Sequence, residues 1–193
     1  MTSPQRPALP ILRAERVFLR PAERSDIPTF VRWFNDSELT SFVSMRDPMS
    51  LAMEERWFEQ MLQDHGKSRY LFVICLLEDA TPIGNIGLFD IDLVNGSAGI
   101  GITIGEKQLW GQGYGTDAMF ALIDFGFGQL RLERLWLEVY DFNPRARRVY
   151  EKVGFVHEGM KRQALRFEAE WIEAHIMSIL TGEWSKHRGY PNR

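Results

Sequence analysis

The sequence predicts an α/β fold: a mixed, mostly antiparallel sheet of about seven strands with helices on both faces, in one domain over residues 1–193. Three observations predict it. Short apolar runs separated by turn residues crowd residues 70–104, the pattern of an antiparallel meander. A glycine-rich loop then leads into a long helical period, and an apolar run at 135–139 follows, which makes a parallel strand–helix–strand crossover. No repeat, linker or low-complexity block divides the chain.

The elements follow in order. Residues 1–10 are polar, hold three prolines and read as a flexible tail. Residues 17–20 form a first strand ahead of Pro21. Ser25 opens a helix with Ile27, Phe30, Val31 and Phe34 on one face. Residues 35–48 are polar and turn-rich. Ser50 opens a second helix, with Met53, Trp57 and Met61 at four-residue spacing. Strands follow at 70–77 and 83–90. Asn95-Gly96 is a hairpin signal, and residues 98–104 are extended again. Met119, Leu122, Ile123 and Phe127 carry the next helical period. After the strand at 135–139, Asn143-Pro144 starts a helix with Ala146, Val149, Tyr150 and Val153 on one face, and Gly154 stops it. Residues 158–166 and 171–180 read as a closing pair of strands.

Composition narrows the function. With 45% apolar and 25% charged residues, the 193-residue chain is ordinary globular material. A formal net charge of -3 supplies no basic field for nucleic acid. The longest apolar run is far shorter than the roughly 20 residues of a membrane helix, and no secretory leader is evident, so a cytoplasmic protein is expected. The single cysteine, Cys75, sits in an apolar run and reads as core filler. The histidines at 65, 157, 175 and 187 show no metal spacing.

Gly111-Gln112-Gly113-Tyr114-Gly115-Thr116 lies between a strand and a helix. Glycines there let successive N–H groups turn toward one point, and the helix start adds its positive dipole end, so the loop suits a pyrophosphate. It is not a P-loop, because no Gly-Lys-Ser/Thr ending follows. It is not a dinucleotide fingerprint, because Thr116 stands at the third glycine.

The loop resembles the Q/R-x-x-G-x-G/A signature of the Gcn5-related N-acetyltransferase (GNAT) superfamily, with Trp110 where Gln or Arg is common. Residues 139–155 are similar to that superfamily's V-x-x-x-N-x-x-A-x-x-x-Y-x-K-x-G-F, through Val139, Asn143, Ala146, Tyr150, Lys152, Gly154 and Phe155. The form of the loop looks like the branch that acetylates ribosomal-protein N-termini, and Trp33-Phe34-Asn35-Asp36-Ser37-Glu38 also looks like members that act on polyamines and other small amines. The resemblance covers roughly residues 17–180. It implies a GNAT fold, splayed at its centre for acetyl-coenzyme A, and direct transfer of acetyl to a primary amine of a protein N-terminus or small molecule.

By the same resemblance, the backbone of Ile102, Thr103 and Ile104 bonds the pantetheine arm, and Gly111, Gln112, Gly113, Tyr114, Gly115 and Thr116 hold the pyrophosphate. Asn143 bonds pantetheine, and as the residue before Pro144 it is also a natural helix cap. Arg147 is a candidate for the cofactor's ribose phosphate, against the plainer reading of a solvated basic face. Tyr150 is the implied catalytic acid for the departing thiolate; a core tyrosine is the alternative.

Related enzymes place an acidic general base on the strand before the loop, where this chain has Gly99. That leaves a non-catalytic acyl-coenzyme A-binding module as a second hypothesis. Candidate substrate acids are Glu138, mid-strand, where a structural ion pair is the competing reading. Asp90 stands at a strand end, and Asp36 and Glu38 follow the first helix. The closing strands and the aromatic-rich stretch 167–184 resemble dimerisation surfaces of relatives, so a homodimer is expected.

Overall fold

The computed structural model describes residues 12–43, 47–167 and 169–188. The expected tail at 1–10 lies outside them. Eight strands form one sheet in the order β1-β2-β3-β4-β5-β6-β8-β7. They are β1 (Leu12–Arg13), β2 (Val17–Pro21), β3 (Tyr70–Leu76), β4 (Pro82–Asp92), β5 (Ser97–Ile104), β6 (Arg134–Tyr140), β7 (Val156–Phe167) and β8 (Glu170–Leu180). Every neighbouring pair is antiparallel except β5–β6. The eighth strand beyond the expected seven is β1, whose two residues are too short to leave a periodic signal.

Helices α1 (Ile27–Phe34), α2 (Ser37–Thr40), α3 (Leu51–Asp64), α4 (Tyr114–Gly128), α5 (Pro144–Val153) and α6 (Thr181–Arg188) cover the sheet. β3 shows why both faces need cover. Its alternating side chains are buried on each side: Phe72 and Ile74 join the α4, α5 and α6 layer, whereas Val73 and Cys75 join the α1–α3 layer. On the first layer Met119, Leu122, Ile123, Tyr150, Val153 and Trp184 pack on Leu135, Leu137 and Met177. On the second, Ile27, Phe30 and Trp33 of α1 meet Phe58 and Met61 of α3.

Ser25 does not cap α1. A short 3₁₀ turn at Arg24–Asp26 precedes the helix, and Asp26 is held by both guanidinium nitrogens of Arg20 at 2.7 Å. Ser50 caps α3 as expected, accepting from Met53 N at 3.2 Å. Asn143 caps α5, accepting from Ala146 N at 3.1 Å. Two helices were not expected. α2 stands where the chain reads as turn, opened by the Asp36 side chain, which accepts from Glu38 N and Leu39 N. α6 is held from a distance, with Trp184 Nε1 donating to Asp124 of α4 at 2.8 Å.

Candidate active site

β5 and β6 pair only at Ser97–Arg134, Ala98–Leu135 and Gly99–Trp136. Both strands run on, to Ile104 and Tyr140, so the sheet splits beyond Gly99. On its other side β5 stays paired with β4 as far as Ile104. One edge of residues 100–104 therefore presents its backbone polar groups into the split, and such groups require partners.

The glycine loop sits at the open end of that split. Gly111 has φ 75° and Gly113 φ 88°, left-handed conformations that side-chain-bearing residues resist. α4 starts at Tyr114, so the expected loop is three loop residues followed by the first helical turn. Among the described residues, no protein acceptor meets the backbone N–H groups of 111–116. The first bond of the turn runs from Asp117 N to Gly113 O at 3.1 Å. Six free donors and the positive end of a 15-residue helix suit a doubly charged phosphate group. The turn lies beside β5, with Gly115 next to the side chains of Ile102 and Ile104. Trp110, in the unusual position, fastens the same junction: its Nε1 donates to the Ile104 carbonyl at 2.7 Å. Gln112 turns away, its amide donating to Gln108 O at 2.7 Å.

Tyr150 enters from α5 and is buried. Among the described residues its hydroxyl has no hydrogen-bond partner, and burial pushes its pKa up to about 12. A phenol so raised keeps its proton at every physiological pH, so it is a donor and not a base. Asn143 uses its Oδ1 for the α5 cap, while Arg147 is half-exposed and paired with Glu151 at 3.0 Å.

Gly99 stands where relatives carry an acid. That acid's place is filled by the ring of Phe89, whose Cε2 lies 2.4 Å from where a Cβ would stand. Phe89 in turn packs edge-on against Trp136, with ring centres 5.3 Å apart. This contact reaches from β4 over Gly99 of β5 to β6, and it left no local signal in the sequence. Trp136 and Tyr140 lie on the sheet face opposite the buried Leu135, Leu137 and Val139, so aromatic side chains wall one face of the split.

The candidate substrate acids fall into three places. Asp36 and Glu38 come together, but on Lys107, whose Nζ lies 2.8 and 2.9 Å from them. That ammonium and the α2 N–H groups hold the Asp36 carboxyl below the usual carboxylate range. Glu138 points to the aromatic face and is paired with Lys161. Asp90 is exposed, six residues along β4 from the Gly84–Ile104 pair, roughly 20 Å from the loop end of the split. Cys75 is fully buried, and burial pushes its thiol up, which removes it as a nucleophile. Among the described residues no helix is long and apolar enough to cross a membrane, and no cluster of three His, Cys, Asp or Glu is placed to hold a metal.

A family model described as the acetyltransferase (GNAT) domain matches residues 16–156. The chain belongs to the GNAT acetyltransferases. It is 29% identical to the N-acetyltransferase p20 of Bacillus licheniformis, over 90% of this chain and 98% of that one. YdaF of Bacillus subtilis, which bears the name "putative ribosomal N-acetyltransferase", is 35% identical over 56% of this chain and 59% of its own length. The crystal structure of the spermidine N-acetyltransferase of Vibrio cholerae in complex with CoA and spermine superposes with a TM-score of 0.80, at 25% identity, over 88% of this chain and 98% of that one. This GNAT protein is thus an acetyl-CoA-dependent N-acetyltransferase, with an amine as acceptor.

Proposed function

We propose that this acetyltransferase passes acetyl directly, in a ternary complex, to a primary amine whose body carries no second positive charge, such as a protein N-terminus. Lys107 carries the proposal. Its ammonium already occupies the space between Asp36 and Glu38, and Lys161 likewise holds Glu138. A polyamine would have to displace an internal cation to use these acids, and each exchange gains little because like replaces like. The aromatic wall of Phe89, Trp136 and Tyr140 offers apolar area to the acceptor's body.

Within the split, the backbone edge of Ile102, Thr103 and Ile104 holds the pantetheine arm, and the N–H groups of residues 111–116 hold the pyrophosphate. Asn143 has its amide nitrogen left for the arm, because its Oδ1 caps α5. Arg147 reaches for the ribose phosphate only by loosening its pair with Glu151. Bound acetyl-CoA supplies the thioester. An N–H of the free β5 edge donates to the thioester oxygen, as oxyanion donors do. Tyr150 gives its proton to the departing sulfur. The amine arrives neutral or loses its proton to water, since the ring of Phe89 leaves no room for a base at Gly99. The unpaired outer edge of β7, with Val156 and Met160 exposed, supports a homodimer, and use of acetyl-CoA supports a cytoplasmic site of action.

A panel of amines assayed by mass spectrometry tests the acceptor class. Peptides with free N-termini and neutral amines are expected to exceed spermidine in kcat/KM by at least about tenfold. Lys107→Ala is expected to narrow that gap by freeing Asp36 and Glu38. Spermidine as the preferred acceptor of the parent enzyme would overturn the assignment.

A further inference from the structure

Arg16 has no assigned role and stands in no motif, yet its guanidinium lies at the glycine loop. Its Nη2 is 2.8 Å from the point where a Cβ of Gly113 would stand, and its central carbon sits 4.6 Å from the centre of the Tyr114 ring. Tyr114 is the first residue of α4, so the cation is stacked on the turn whose N–H groups are free. Arg16 is exposed, and no carboxylate among the described residues pairs with it. A guanidinium beside six unpaired N–H donors, without an acid of its own, is a site prepared for an anion.

The main chain around Arg16 is fixed to the same turn. Asp117, one turn into α4 and buried, accepts from the backbone N–H groups of Glu15, Arg16 and Val17 at 3.0, 2.6 and 3.1 Å. The Arg16 carbonyl is also engaged, accepting from Leu77 N at 3.0 Å. Because Asp117 belongs to α4, the start of β2 and the helix turn move as one body. The backbone at Arg16 is therefore held to the loop by buried and part-buried bonds, while its side chain lies at the surface.

We infer that Arg16 is a pyrophosphate-binding residue for coenzyme A, reaching across Gly113 from the bend just before β2 to the phosphates held by residues 111–116, with Asp117 as its positioning residue. This rests on the pyrophosphate lying on that loop. Gly113 then has two reasons to lack a side chain: its positive φ, and the guanidinium that passes over it.

Calorimetry with CoA and with dephospho-CoA, on the parent and on Arg16→Gln and Arg16→Lys, tests it. The Gln variant is expected to bind both ligands about 10- to 100-fold more weakly, the cost of a charge-assisted contact, with Lys intermediate. Its affinity is also expected to fall less steeply with added salt, because one cation no longer meets phosphate. The thermal midpoint without ligand is expected to be unchanged, since Arg16 is exposed. Equal affinity in parent and Gln variant overturns the role of Arg16 alone. A loss confined to CoA, absent with dephospho-CoA, also overturns it, by moving the contact to the 3′-phosphate. A parent that binds neither ligand would contradict the loop's assignment itself.

Discussion

Replacing Gly113 by valine is expected to weaken CoA binding by at least about 100-fold, which corresponds to about 2.7 kcal/mol. Two causes act together. Gly113 has φ 88°, where a β-branched residue is strained by about 1–3 kcal/mol, so the turn shifts and its N–H groups lose their common focus. The new methyls also enter the space beside the Arg16 guanidinium, where the phosphates are proposed to lie. The fold itself survives, because the nearest atom to the added Cβ is the far end of a flexible arginine and not backbone. A thermal midpoint lowered by only several degrees is expected, since about 1 kcal/mol moves a domain of this size about 2–4 °C. Calorimetry reads the affinity. A folded Gly113→Val protein that binds CoA like the parent would remove the loop from the cofactor site.

Tyr150→Phe is expected to lower kcat about 10- to 100-fold while KM for acetyl-CoA stays near the parent value. A thiol of ordinary pKa near 8.5 is already a tolerable leaving group, so the acid assists and is not indispensable. The structure sharpens the control. The hydroxyl has no protein partner among the described residues, so its removal orphans no donor or acceptor, and stability is expected to hold. A tyrosine with a merely structural role would leave kcat untouched. The pH profile follows from the same burial. The hydroxyl titrates at about 12, so the protonated acid is present throughout the working range and is lost only as pH climbs toward that value. The rate is therefore expected to rise with pH as the acceptor amine loses its proton, with no descending limb below about pH 10. A bell-shaped profile falling through neutral pH would assign the acid to another group.

Those two positions were legible because their signals are local. Gly111 and Gly113 are spaced for a turn, and Asn143, Tyr150 and Gly154 are fixed by the cap, stripe and stop of a single helix. The meander was legible for the same reason: Asn95-Gly96 sets the β4–β5 turn, with Gly96 at φ 64°. What could not be read depends on contacts across long stretches of chain. α2 is a single turn held by its own cap and by Lys107, 71 residues from Asp36. α6 has little apolar stripe of its own and is tied down by Asp124, 60 residues from Trp184. The ring of Phe89 over Gly99, and the cations already seated on Asp36, Glu38 and Glu138, follow from strand register and loop packing. Acid residues near a pocket are visible in a sequence; their partners are not. Arg16 shows the limit best, since it meets the loop only because β2 and α4 are joined through Asp117, 101 residues away.

The central claim is direct transfer from thioester to amine within the split between β5 and β6, with no covalent stage on the protein. Cys75, the only cysteine, is fully buried on the α1–α3 side and its thiol is held protonated by that burial. Intact-mass measurement on the enzyme mixed with acetyl-CoA, before and after an acceptor amine is added, tests this most directly. The protein mass is expected to stay unchanged throughout, with free CoA appearing only once the amine is present and in equal amount to the acetylated amine. An acetylated enzyme that forms without amine and discharges when amine is added would contradict the account.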